Sequence, residues 1–416
     1  MYRLNNYVRR YAWGSTTVLP RLLGEPPDGT PQAELWVGAH PSAPSSARTP
    51  DGPVPLDRVI AAQPERMLGK RAARSFEGRL PFLLKVLAAE APLSLQAHPT
   101  AGQARTGYAA EEAAGVPADA EHRNYPDPRH KPEMLLALGR FEALCGFRAP
   151  EEVLGDLRGF QCELARVLRS DLASGDAPSG LRAALTRLLT LSPGHRNELV
   201  TAFTREWQRR GRGTHADVIP ELARRYPGDA GAAAALLLRR VTLERGQALY
   251  LPAGNVHSYL GGTAVEVMAN SDNVLRAGLT GKHVDPSELL RVVDFSARPV
   301  PYVPPSRGDG ILEYRTPAPE VALSAMGPGT VDGRLTGGTP WGVLVLEGNV
   351  ELRSRAGGVR LGGGGSAFVP AHEGEVRVAG EGYLVAATVC ETEPAGQAAP
   401  AEGREASGRE ASGFGS

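Results

Sequence analysis

Cysteine is nearly absent: Cys145, Cys162 and Cys390 are the only three in 416 residues, far apart and without a CxxC spacing. That excludes a disulfide framework and a thiolate zinc site, and it leads to the expectation of a reducing, cytoplasmic setting. Net charge is absent as well, because Lys plus Arg and Asp plus Glu are each 46. No broad field draws nucleic acid or an acidic membrane, so any charged ligand must be read by a local site. No run of about 18 uncharged apolar residues occurs. The opening stretch MYRLNNYVRRYAWGS lacks the apolar core of a secretory signal, so neither a membrane span nor an export signal is expected. Lysine is scarce beside arginine, a bias that by itself assigns no chemistry.

Glycine (50) and proline (35) are plentiful and cluster around short apolar runs, as where many strands are joined by tight turns. The length exceeds what one core usually supports, so at least two packed units are expected. Up to about Phe147, runs such as LPFLLKVLAA and PLSLQAH read as strands and loops. From Pro150 the period changes: Val153, Leu154, Leu157, Phe160, Leu164, Val167 and Leu168 recur at helical spacing, and Leu181, Leu185, Leu188 and Leu189 repeat it. Arg209, Arg210, Arg224 and Arg225 in this stretch read as solvated helix charges, to which no binding partner is assigned. Strand character returns after Arg240 and again from Ile311 to Val389. A tail with the tandem GREASGREASG has almost no apolar residue, and 392–416 is expected to be disordered.

Three segments carry metal-competent side chains. On a strand, Gln96 and His98 of SLQAH share one face. In HKPEM, Glu133 follows a stiffening proline beside Lys131, and in PAGNVH a Pro and Gly turn presents His257. Together Gln96, His98, Glu133 and His257 would offer two oxygens and two imidazoles, a set that zinc accepts, with a residual positive charge suited to a Lewis acid. Downstream, Glu266, Arg276 and Lys282 could add a base and anion-binding cations.

Five motifs in order make the chain resemble the type I mannose-6-phosphate isomerase family: YAWGS, ELWVGAHPSAPS, LPFLLKVL with SLQAHP, YPDPRHKPEM, and PAGNVHSYLGGTAVEVMANSDNVLRAGLTGKHVD. The resemblance implies one zinc held by Gln96, His98, Glu133 and His257. It also implies an active-site Arg276, proton transfer by Lys131 or Glu266, and phosphate contacts from Ser94, Lys85 and Lys282. Where the family commonly reads LTPK, this chain has Leu279-Thr280-Gly281-Lys282, and a glycine there loosens the loop.

The implied fold is mainly β with an inserted α-helical domain, a bicupin-like jelly roll or β-sandwich. The expected division is a zinc-binding catalytic part over 1–149 and 241–305, a helical insert over 150–240, and a degenerate cupin-like part over 306–391. His372 in PAHEG echoes the metal turn, but no Gln-x-His pair or carboxylate accompanies it, so it reads as a loop residue. The implied reaction interconverts mannose 6-phosphate and fructose 6-phosphate through a cis-enediol, in a monomer whose partner is a sugar phosphate. Two rivals are an iron-dependent dioxygenase cupin, which Gln96 disfavours, and a non-catalytic, metal-stabilised sugar-binding cupin.

Overall fold

A computed structural model describes residues 1–308 and 310–390. The tail expected to be disordered, 392–416, lies outside the described residues. Two ten-stranded sheets, antiparallel throughout their pairings, dominate the architecture. The first is organised around the strand His257–Ala269. From Gly262 onward this strand pairs with Phe82–Ala89 and Glu133–Ala137. Its beginning pairs instead with Phe141–Phe147 and meets Leu95–Ala97 through His257 and Gln96. The change of partners falls at a register shift between Tyr259 and Gly261. Gly262 there has φ 119°, and a Cβ on it would lie 2.6 Å from the Arg140 carbonyl oxygen, so only glycine permits the bend.

The second sheet runs in the order Ser306–Gly308, Ile311–Arg315, Ala322–Leu335, Val376–Thr388, Trp341–Ser354, Ser366–Val369, Tyr2–Asn5, Ser46–Thr49 and Gly52–Pro55, with Gly357–Gly362 beside Trp341–Ser354. Its N-terminal strands thus complete a sheet built mostly from the C-terminal block. The sheets pack face to face: Leu84, Val86, Val265 and Val267 share one core with Leu344, Phe368, Val385 and Ala387. Because side chains alternate, Lys85 and Glu266, between those apolar pairs, point to the opposite face.

Six α-helices, from Pro150–Asp156 to Gly231–Ala234, lie between the strands Phe141–Phe147 and Leu238–Leu243. Val153, Leu157, Phe160, Leu164, Leu168, Leu181, Leu185 and Leu188 are buried together with Phe203 and Trp207, while Leu154 and Leu189 pack at the margin. Val167 is only half-buried. Arg224 and Arg225 pair with Glu221, and Arg210 with Glu206, as expected of solvated helix charges.

Before Phe147 the chain is not only strands and loops. Ala101–Ala113 is a helix closed by a capping box, in which the Thr100 hydroxyl accepts from the Gln103 N–H at 3.2 Å and the Gln103 side chain accepts from the Thr100 N–H at 2.9 Å. Its only buried residue is Ala104, so hydrophobic periodicity is silent there. Leu56–Ala62, Pro64–Leu68 and Lys70–Ser75 are helices too short to establish a period.

Candidate active site and metal centre

Three chain segments converge where the central strand begins. Leu95 and Ala97 are buried in the core, which turns Gln96 to the other face, and His98 follows it. Glu133 opens its strand opposite Met268, and the turn through Gly254 (φ 78°) sets His257 opposite Gln96. The donor atoms of His98, Glu133 and His257 all lie within 4.8 Å of one another, and all three residues are buried. His98 Nε2 is 3.3 Å from Glu133 Oε1, His257 Nε2 is 3.5 Å from Glu133 Oε2, and Gln96 Nε2 is 3.4 Å from His257 Nε2. Zinc ligands at roughly 2.0 to 2.2 Å in a tetrahedral arrangement stand roughly 3.3 to 3.6 Å apart, so these separations match such edges.

Protonation fits the same group. His98 Nδ1 lies 2.8 Å from the Asn273 carbonyl oxygen and His257 Nδ1 lies 3.0 Å from that of Asn255. A carbonyl can only accept, so each Nδ1 donates and each Nε2 faces the cluster. His98 Nε2 is buried without a hydrogen-bond partner, an orphan that a cation would satisfy. Burial pushes the His98 imidazole down to about 4 against the pull of Glu133, which keeps it neutral. Burial pushes Glu133 up, but the pull of the Lys131 ammonium leads the opposing causes, and the carboxyl is held well below the usual range. The Gln96 amide turns its nitrogen toward His257. Ligation through oxygen uses the flipped amide, with the Ser94 hydroxyl, 3.2 Å from Oε1, then accepting from the nitrogen.

Beside the cluster is a cavity of about 340 Å³ whose lining includes Ser94, Lys85, Lys131, Glu266, Arg276 and Lys282, along with Gln96 and Glu133. Lys85 stands in register with both Glu266 and Trp36. Its Nζ is 3.0 Å from Glu266 Oε2, 3.9 Å from Glu34 and 5.1 Å from the Trp36 ring centre. Burial lowers this ammonium's pKa, but Glu34 and Glu266 outweigh burial and raise it above its ordinary value. Burial raises Glu266 against the pull of Lys85. Lys131 Nζ is 3.1 Å from Glu133 Oε1.

Arg276 and Lys282 differ from these paired groups. Neither the Arg276 guanidinium nor the Lys282 ammonium has a hydrogen bond or ion pair among the described residues, the Lys282 backbone N–H alone donating to the Thr280 hydroxyl at 3.0 Å. Lys282 Nζ sits 5.7 Å from the Tyr11 ring centre. Burial pushes Arg276 down, and burial together with Arg276 does the same to Lys282. Two crowded cations without counter-charges make an anion receptor.

Several cavity residues escape the sequence reading. Tyr259 donates to Glu266 Oε1 at 2.9 Å and lies 3.4 Å from Glu133 Oε2. Its spacing of two from His257 on one strand is the signal that could have found it. Trp36 Nε1 donates to Glu34 Oε2 at 2.6 Å, again across a spacing of two. Tyr11, Trp13 and Asp272 also line the wall. His372 is exposed, 3.2 Å from the Arg66 carbonyl, and outside the metal cluster.

Residues 1–150 match the family model described as phosphomannose isomerase type I, catalytic domain. The chain is 38% identical over 391 residues to the mannose-6-phosphate isomerase of Escherichia coli K12, covering 92% of this chain and 98% of that protein. It is 33% identical over 416 residues to the mannose-6-phosphate isomerase of Rattus norvegicus, covering 92% of each. The crystal structure of the Salmonella typhimurium enzyme bound to substrate and zinc superimposes with a TM-score of 0.86 at 35% identity, covering 94% of this chain and 99% of that one. Fold, cavity and sequence similarity over nearly the whole length place this chain in the type I phosphomannose isomerase family.

Proposed function

We propose that the chain interconverts mannose 6-phosphate and fructose 6-phosphate in this cavity, with one zinc ion held by Gln96, His98, Glu133 and His257. The observation that carries the reading is the juxtaposition of two opposite needs. Two imidazole Nε2 atoms around a carboxylate call for a cation, and the Arg276 and Lys282 side chains, which form no ion pair, call for an anion. When bound, zinc supplies a Lewis acid that polarises sugar oxygens. Arg276, in register with Gln96, stabilises negative charge as it develops on those oxygens, and Lys282 and Ser94 receive the phosphate. Glu266 has both oxygens engaged, by Tyr259 and Lys85, whereas Lys131 meets a single carboxylate oxygen. The proton shuttle between C2 and C1 is therefore assigned to Lys131, and Glu266 holds Lys85 in place. Lys85 contributes to the phosphate only through donors left over from that pair.

The architecture is read as bicupin-like, with catalytic parts over 1–149 and 241–305, a helical insert over 150–240 and a C-terminal β part over 306–391 that the first strands complete. Free Cys145, Cys162 and Cys390 favour the cytoplasm, and a monomer is the assigned state. Among the described residues no helix is long and apolar enough to cross a membrane. Metal-analysed protein should convert mannose 6-phosphate to fructose 6-phosphate, lose turnover on chelation and regain it with zinc. Binding without turnover at about stoichiometric zinc would overturn the isomerase reading in favour of a sugar-binding protein.

A further inference from the structure

The loop that carries Lys282 has no stiffening residue of its own at Gly281, where a Cβ would meet nothing within 4 Å. Its order comes from the helical layer. Leu279 is 1% exposed, buried in the core formed by the helices, and has φ 56°, a conformation leucine adopts only where its surroundings dictate it. The Leu279 N–H donates to Asp229 Oδ2 at 3.0 Å, while Asp229 Oδ1 accepts from the Gly231 N–H at 2.7 Å. Two glycines let the backbones touch: a Cβ on Gly278 would lie 2.7 Å from Asp229 Oδ1, and one on Gly231 would lie 2.9 Å from the Leu279 nitrogen. Behind the loop is a second cavity of about 380 Å³, lined by Asp229, Gly278 and Thr280, and Lys282 borders both this space and the active-site cavity. The loop is thus a thin partition with open space on either side of its lysine.

We propose that Asp229 is a positioning residue for catalysis: by clamping the Leu279 turn, its carboxylate keeps Lys282 on the substrate side of the partition. The proposal rests on the reading of Lys282 as a phosphate contact. Asp229→Ala should raise KM for mannose 6-phosphate roughly tenfold with kcat changed less than about twofold, the loss expected when a charged acceptor releases a buried N–H and substrate binding alone suffers. Inhibition by inorganic phosphate should weaken by about the same factor, an effect that general damage to the fold would not single out. Asp229→Asn, which keeps the size and one acceptor, should fall between parent and Asp229→Ala, and it carries the test if the alanine variant does not fold. Lys282→Met separates the two layers of the reasoning. If it raises KM and weakens phosphate inhibition while the Asp229 variants change neither, the clamp is refuted and the phosphate contact stands. If Lys282→Met changes neither, the phosphate contact falls, and the clamp's role with it.

Discussion

Replacing Lys85 with methionine keeps a stem of similar length against Trp36 and removes the one cation between two carboxylates. Lys85 is 5% exposed, with Nζ 3.0 Å from Glu266 and 3.9 Å from Glu34. Breaking a buried pair costs roughly 3 to 5 kcal/mol when the remaining charge must stay ionised. Glu266 has an escape, because burial already pushes its carboxyl up, and without Lys85 it takes up a proton. From the ordinary carboxyl value of 4.5, protonation at pH 7 caps the cost at about 3 kcal/mol. The sign with pH follows. The folded variant holds one proton more than its unfolded chain, so its deficit relative to the parent is full at pH 7 and shrinks by about 1.4 kcal/mol per unit as pH falls toward 5. Urea unfolding of zinc-saturated parent, Lys85→Met and Lys85→Met with Glu266→Gln at pH 7, 6 and 5 measures this. The double variant should recover most of the stability at pH 7 and lose the extra pH dependence. A deficit that ignores pH, or a double variant no more stable than the single one, would refute the view that Lys85 balances Glu266.

Two further outcomes are expected. Arg276→Ala should lower kcat on the order of a hundredfold while KM moves much less, and steady-state kinetics showing an unchanged kcat would remove Arg276 from the chemistry. His215 is fully buried, with Nε2 2.9 Å from the Leu238 carbonyl, and burial, helped by Arg148, pushes its imidazole from 6.5 down to about 4. The folded protein therefore binds fewer protons than the unfolded chain between pH 6.5 and 4, and stability falls across that window by up to about 3 kcal/mol. Thermal melts of His215→Gln, which can still donate to that carbonyl, should show a flatter decline, and a slope equal to the parent's would dismiss His215 as its source.

The candidate metal group is legible in the sequence because coordination demands donor types that are rare on buried strands, and the period of two places Gln96 and His98 on one face before any neighbour is known. What the period does not supply is the neighbour. Glu34, Trp36, Lys85, Glu266 and Tyr259 form one floor of hydrogen bonds and ion pairs only because Glu34–Gly38, Phe82–Ala89 and His257–Ala269 lie side by side in a register that fixes Trp36, Lys85 and Glu266 in a row. The same blindness hides the pairing of Tyr2–Asn5 with Ser366–Val369, which joins opposite ends of the described chain. The helix Ala101–Ala113 shows the complementary gap. Its signal was the Thr100 to Gln103 capping box, a hydrogen-bonding pattern, whereas apolar spacing is the cue that finds helices such as Ala177–Leu189.

Composition held one more signal. The chain has four lysines, Lys70, Lys85, Lys131 and Lys282, against 42 arginines. Lys85, Lys131 and Lys282 all line the active-site cavity. On a solvated surface either cation serves, so a bias toward arginine erases lysine wherever charge alone is needed. It survives where a compact ammonium is required, or one that can give up a proton, since a guanidinium stays charged and spreads five donors in a rigid plane. Between Glu34 and Glu266 such a plane would carry donors past the two carboxylates, and beside Glu133 it would lack the proton exchange proposed for Lys131. A bias that assigns no chemistry on average therefore makes each of its exceptions informative, and here three of the four exceptions line the candidate site.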